Sequence, residues 1–384
     1  MAWRESSVVE ERLQFVVRAH KGASKLKDLC REFGISRQTG HLWLKRYRNE
    51  GSAGMKDRSR RPLHSPKKTA PDLESAVVSL RQSRPDWGAA KLARMLAGQN
   101  PPAPLPARTV HRILERNGLI AEGDRRRQAT QRFQRANPNE LWQMDFKGLP
   151  GTNRAPGPLS VIDDCSRYIV VLRNLGSTAL CGVKESLTEA FQQNGMPEGM
   201  LMDHGMPWWS SSSAWGLTEL SVWLMRLGIR LSYSGIRHPQ TQGKVERMHG
   251  ALQKATNKRQ GDLKDQAWLD EFRHEYNAVR PHEALNMATP ASVWSPSQRR
   301  FPDKIAEWQY GPDTISRTLE NRGRMNWRGR TWDISYALRD LTVGIEVMGN
   351  RALVYFCRTP IRELNLDTGE TSPLIAVHTR TLQT

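Results

Sequence analysis

Three acidic residues, Asp145, Asp203 and Glu246, occupy positions from which their carboxylates could act together. Asp145 lies with Leu141 and Gln143 in an alternating segment that reads as a strand, and Asp203 closes a short strand and is followed closely by Gly205. Glu246 falls in the first turn of a helix. If the two strands are neighbours and the helix crosses their ends, the three carboxylates converge. Such oxygen ligands suit hard divalent cations like Mg²⁺. Two of these ions about 4 Å apart can activate an attacking oxygen and stabilise a leaving one in phosphoryl transfer. The helix itself is ordered by face: Val245, Met248 and Leu252 are apolar, Arg247, Lys254 and Lys258 are basic, and Glu246 sits on the border near His249 and Gln253.

The elements that must position these residues are readable around them. Further strands are expected at 159–162, 168–172, 199–202 and 229–233, and helices at 177–193, 217–227 and 243–258. With the Asp145 strand in front, the order is that of a ribonuclease-H-like α/β domain, assigned to residues 139–298. In that order the first and fourth strands are central neighbours.

Two small helical units precede this domain. In the first, residues 1–53, Leu26, Leu29, Cys30 and Phe33 recur at helical spacing, Gly34 stops the helix and Ser36 caps the next. That helix presents Thr39, Leu42 and Trp43 as an apolar back and Arg37, His41, Lys45 and Arg48 as a basic front, with Gln38 a further candidate contact. This is a helix-turn-helix pattern for DNA. A basic linker at 54–68, with Arg58, Arg60 and Arg61, is expected to lie along phosphates. The second unit, residues 69–122, repeats the layout: Val110, Ile113 and Leu114 back a helix carrying Arg108, Arg112 and Arg116. A second basic linker at 123–138 contains Arg125 and Arg126.

Residues 308–384 are rich in short strands separated by turns at Arg322-Gly323, Arg328-Gly329 and Gly349-Asn350, which reads as a small β-barrel. Its Arg322, Arg324, Arg328 and Arg330, with an exposed Trp327, would suit a DNA backbone; a stabilising or dimerising role is the alternative.

Charge agrees with a polyanionic partner: 58 Lys and Arg against 39 Asp and Glu leave +19. The four cysteines, Cys30, Cys165, Cys181 and Cys357, form no paired spacing, which argues against a zinc knuckle or disulfide framework. Without an apolar leader or a run long enough to span a bilayer, a soluble, cytoplasmic protein is expected.

Five blocks in order carry a family resemblance: QMD at 143–145, DDCSR at 163–167, MDHG at 202–205, HPQTQGKVER at 238–247 and YNAVRPHEAL at 276–285. They resemble bacterial insertion-sequence transposases with an integrase-type (DDE) core, and the likeness covers most of residues 8–295. Three features depart from related proteins. His204 stands where Asn often follows the second Asp, and the gap from Asp203 to Glu246 is longer than usual. The zinc-binding N-terminal domain of retroviral integrases is absent.

The resemblance implies that Asp145, Asp203 and Glu246 are the catalytic metal-binding triad, holding two Mg²⁺ ions for which Mn²⁺ can substitute. It implies two phosphoryl transfers at one site: water frees a 3′-OH at the element's end, and that hydroxyl attacks target DNA. Double-stranded DNA, as transposon ends and target, and a homodimer or larger assembly are the implied partners. ATP hydrolysis is not expected, because no glycine-rich phosphate loop with Lys and Ser or Thr is present.

Other residues are read more modestly. Lys244 and Arg247 are expected to contact DNA; His238 and Gln240 either position a DNA end or cap the Glu246 helix. Arg167 is read as a turn residue, Arg280 and His282 as packing, and Trp208, Trp209 and Trp215 as core side chains with a DNA wedge as the alternative. A nuclease of the same fold, or a DNA-binding regulator, remains the competing function.

Overall fold

The computed structural model describes residues 7–22, 24–58, 69–99, 104–120, 134–149, 156–210, 216–234 and 242–374. The linker residues Arg60, Arg61, Arg125 and Arg126, together with Trp215, His238 and Gln240, lie outside the described residues. The chain divides into two compact units, one ending at Thr69 and one running from Ala70.

The first unit contains helices α1 (Val8–Lys21), α2 (Leu26–Glu32) and α3 (Arg37–Glu50). Ser7 and Glu10 form a reciprocal capping box on α1, and Ser36 caps α3 by accepting from the Thr39 amide. Phe15, Val16, Leu29, Cys30, Trp43 and Met55 make the core. Leu42 corrects the expected apolar back: it is 45% exposed, because the single small core is filled by Trp43 and the close-packed Gly40.

The second unit opens with α4 (Pro71–Ser83), α5 (Ala89–Ala97) and α6 (Ala107–Arg116) around Val77, Trp87, Leu92, Leu96, Val110 and Ile113. The α/β core follows with β1 (Trp142–Gly148), β2 (Pro156–Asp163), β3 (Ile169–Arg173), α7 (Leu180–Asn194), β4 (Gly199–Met202), α8 (Glu219–Arg226), β5 (Arg230–Tyr233) and α9 (Gly243–Arg259). Its five strands are ordered β3-β2-β1-β4-β5. The first three run antiparallel; β4 and β5 are added parallel to β1. Alternation along β1 sends Trp142 and Met144 into the core against Phe191, Met200 and Leu224. Gln143 and Asp145 take the opposite face, towards α9. There Val245, Met248 and Leu252 pack with Ile162, Ile169 and Phe272, the last from α10 (Gln266–His274).

The helices α4–α6 are fastened to this core. Asp86 and Glu275 are buried and share the guanidinium of Arg259, Arg280 reaches Asp86 at 3.3 Å, and Trp87 Nε1 donates to Glu275 at 3.1 Å. Val279 joins the apolar cluster of the three helices.

After the short α11 (Pro290–Val293), the last strands are β6 (Ile315–Thr318), β7 (Arg324–Trp327), β8 (Arg330–Asp333), β9 (Thr342–Met348), β10 (Arg351–Phe356), β11 (Thr359–Asn365) and β12 (Thr371–Pro373). Among the described residues they form an open sheet, β12-β11-β10-β9-β6, and a separate β7-β8 ribbon, rather than the expected closed barrel. The ribbon seals one face instead of joining the ladder: Met325, Trp327 and Trp332 lie in a shared core with Val343, Ile345 and Val354, to which Val222 and Met225 of α8 contribute. Trp327 is thus buried, contrary to expectation. Arg324 pairs with Asp333, and Arg330 donates to the carbonyls of Leu366 and Asp367, whereas Arg322 and Arg328 are exposed.

Candidate active site

The sheet topology explains how two distant aspartates meet. In the parallel β1–β4 pairing Trp142 faces Met200 and Gln143 faces Leu201. Continued by two residues, this register brings Asp145 beside Asp203 at the same sheet end. Glu246 arrives on the first turn of α9, which crosses that end, and its side chain is exposed.

The electrostatics record the convergence. Burial pushes the Asp145 carboxyl up from its usual 3.8 to about 7; the charge of Asp203 adds to the rise, the Phe146 amide opposes it, and Glu246 adds a smaller push. The negative charges of Asp203 and Glu246 beside the buried Asp145 carboxyl are poorly matched to it, whereas a cation would suit all three. Among the described residues, no three His, Cys, Asp or Glu side chains are gathered tightly enough to enclose an ion. The donor set of Asp145, Asp203 and Glu246 is all carboxylate oxygen and fits Mg²⁺ or Mn²⁺.

Neighbours orient the acids. Asp203 Oδ1 accepts from the Gly205 amide at 2.8 Å and from Trp208 Nε1 at 2.5 Å, leaving Oδ2 for another partner. A Cβ at Gly205 would stand 2.9 Å from that Oδ1, so the position favours glycine. Trp208 is buried and stacks on Phe146, so it serves the core and the aspartate rather than an exposed wedge; Trp209 packs edge-on against His204 and Tyr233.

His249, one turn beyond Glu246, points back to β1 and β2. Its Nε2 lies 2.9 Å from Ser160 Oγ and its Nδ1 3.8 Å from Asp145 Oδ2. Burial, with the charge of Lys147, holds the imidazole pKa down at about 3, so the ring is neutral. His249→Phe keeps the volume but leaves the buried Ser160 hydroxyl without this partner, and should cost about 1–3 kcal/mol in urea unfolding. An unchanged midpoint would show that the contact contributes nothing.

The sequence candidates differ in exposure and in partners. Arg37, Gln38, His41 and Lys45 are exposed on α3, Arg108 and Arg112 on α6, and Arg247 on α9, whereas Lys254 is half-buried. Arg58 pairs with Glu50, and Arg116 with Glu74 at 2.7 Å. Lys244 departs from its expected role: its ammonium turns inward to the fully buried Asp164 at 2.6 Å and is not displayed for DNA. Arg167 lies in the turn after β2, bonded to Cys165 O and Gln134 Oε1, while Arg280 and His282 are packed inside. Sequence reasoning missed Ser160, Asp164, His249 and Trp208 as parts of the site. For His249 a signal existed, since it lies three residues from Glu246 on the same helix; for Asp164 there was only a doubled acid in a turn.

The family matches agree with this order of domains. The helix-turn-helix domain family matches residues 11–62, and the homeodomain-like domain family residues 39–114. Two integrase core domain families match residues 135–239 and 227–290. The insertion element IS407 uncharacterized 31.7 kDa protein of Burkholderia multivorans is 26% identical over 273 residues, covering 65% of this chain and 91% of that protein. Among solved structures, the HTLV-2 integrase catalytic core domain in complex with magnesium aligns at 16% identity over 41% of this chain and 97% of its own, with a TM-score of 0.31. A chain of the simian T-cell lymphotropic virus intasome in complex with PP2A regulatory subunit B56 gamma aligns at 15% identity over 78% of this chain and 96% of its own, with a TM-score of 0.38.

Proposed function

Starting from a chain of the insertion-sequence transposase type, with helix-turn-helix units and an integrase-type catalytic core, we propose that it binds the ends of its element, cleaves them and joins the freed 3′-OH ends to target DNA. The observation that carries this reading is the meeting of Asp145 with Asp203 at the ends of two parallel strands, where both Asp203 and Glu246 raise the proton affinity of Asp145.

In this reading Asp145, Asp203 and Glu246 hold two Mg²⁺ or Mn²⁺ ions. When bound, such ions supply activation of the attacking oxygen and neutralisation of charge at the leaving oxygen. The chain's own residues do the rest. Trp208 and Gly205 fix the rotamer of Asp203. Buried His249, neutral and anchored to Ser160, keeps α9 against the strand of Asp145 without adding a competing charge. Exposed Arg247 beside Glu246, and the exposed faces of α3 and α6, offer cations to phosphates. Joining two ends calls for more than one copy of the chain on DNA. No helix among the described residues is long and apolar enough to cross a membrane.

A joining assay tests the proposal. Purified protein, Mg²⁺ and labelled duplexes from the DNA flanking its gene should give labelled ends covalently joined to a target plasmid, and Asp145→Asn should give none. Cleavage without joining would identify a nuclease; specific binding without either would identify a regulator. The division of roles is separately testable. Arg247→Ala should weaken end binding and lower the salt dependence by about one counterion, whereas Glu246→Gln should bind as wild type and perform no chemistry. Loss of binding in a folded Glu246→Gln protein would refute that division.

A further inference from the structure

Asp164 is not one of the three converging acids, yet three separate segments end on its carboxylate. It is fully buried. Its Oδ1 accepts from Gln143 Nε2 at 2.8 Å and from Lys244 Nζ at 2.6 Å; its Oδ2 accepts from the Arg135 amide at 2.7 Å. Gln143 then passes the connection on, because its Oε1 accepts the Val245 amide at 3.3 Å. Gln143 is two residues before Asp145 on the same strand face, and Lys244 and Val245 immediately precede Glu246. The amides of a helix's first turn lack the carbonyl partners of the helix interior, and Gln143 supplies one for the Val245 amide.

We infer that Asp164 is a positioning residue that fastens the first turn of α9, and with it Glu246, to the strand of Asp145, and that it fastens the chain arriving at the core through Arg135 by the same carboxylate. Two alternatives for a buried acid fit less well. Asp163 next to it is the turn-former, accepting from Ser166 N, Ser166 Oγ and Asn139 N, so the turn does not need Asp164. Simple neutralisation of Lys244 would not require the amide of Arg135 and the amide group of Gln143 to converge on the same two oxygens. The consequence for Glu246 rests on the proposed metal site, and the consequence for α9 does not.

The experiment compares full-length wild type, Asp164→Asn, and the double variant Asp164→Asn with Lys244→Met. It follows hydrogen exchange at Val245 and Arg135, urea stability, and Mg²⁺ affinity by calorimetry. Asp164→Asn removes the carboxylate charge 2.6 Å from the largely buried Lys244 ammonium, so stability should fall. Exchange at Val245 and Arg135 should rise together by at least about tenfold, and the Mg²⁺ dissociation constant by about 10–100-fold. The double variant contains neither charge and should recover stability, yet keep the fast exchange and the weak Mg²⁺ binding. That split separates a positioning role from a merely structural one. Recovery of wild-type exchange and affinity in the double variant would overturn the inference, and so would unchanged exchange in both variants. Should wild type itself bind no Mg²⁺, the metal reading fails while the exchange at Val245 still decides the role of Asp164.

Discussion

Asp145→Asn should abolish cleavage and joining while making the metal-free protein more stable at alkaline pH. The loss of activity should be at least about a thousandfold, since a misplaced metal ligand forfeits several kcal/mol of transition-state stabilisation. The gain in stability follows from linkage. The Asp145 carboxyl has a folded pKa of about 7 against an ordinary 3.8, so the folded state holds its proton more tightly. Its favourable contribution is complete below the unfolded value and is lost as pH rises through about 7. Removing the charge should therefore stabilise the metal-free protein by roughly 2–4 kcal/mol at pH near 8, and by almost nothing at pH near 4. Saturating Mg²⁺ should erase the difference by stabilising wild type alone. Urea titrations at the two pH values, with and without Mg²⁺, check this. A pH-independent difference would mean that Asp145 is not in the electrostatic setting described.

Arg259→Met should release α4–α6 from the catalytic core. Arg259 is 13% exposed and lies between Asp86 and Glu275, which are 0% and 8% exposed. Taking away the cation leaves two buried carboxylates with Arg280 beside Asp86 and Arg84 beside Glu275 as the remaining cations among the described residues, at 3.3 Å each. Breaking a buried ion network in this way costs about 3–5 kcal/mol. Hydrogen exchange should accelerate through α4–α6 and leave the central strands protected; uniform loss across the unit would contradict a local joint. Acid should act in the same direction. Burial alone would push the Glu275 carboxyl up, but hydrogen bonds and charge from Arg259 hold it below its ordinary 4.5. The stability it contributes is present above that value and disappears as pH falls through the lower folded one.

This joint has a functional meaning under the proposed reading. Arg108 and Arg112 on α6 would be carried rigidly with the catalytic face, so DNA held by that helix would have a defined relation to Asp145 and Asp203. The family matches support DNA-binding units and an integrase core in one chain.

Much of this was legible from the residues alone, and the reason is locality. Period-two alternation around Asp145, the apolar face Val245–Met248–Leu252, and Ser36 before α3 are each set by a few neighbouring side chains, and each appears where the pattern put it. The succession of elements matched a ribonuclease-H-like order in which the first and fourth strands are neighbours, and β1 and β4 do pair in the sheet β3-β2-β1-β4-β5. What only the tertiary structure decided are pairings between groups far apart in sequence. Lys244 reads as a basic residue beside a catalytic helix, and only the buried Asp164 turns it inward. Arg259 stands at the end of α9 as one more charged residue of a basic chain, and only Asp86, 173 residues earlier, draws its guanidinium inside. Trp327 and the open C-terminal sheet belong to the same class, since a ribbon folding over a sheet leaves no mark in either strand's own alternation. Local periodicity determines which elements form; the desolvation of charges and aromatics, which depends on distant partners, determines what each side chain then faces.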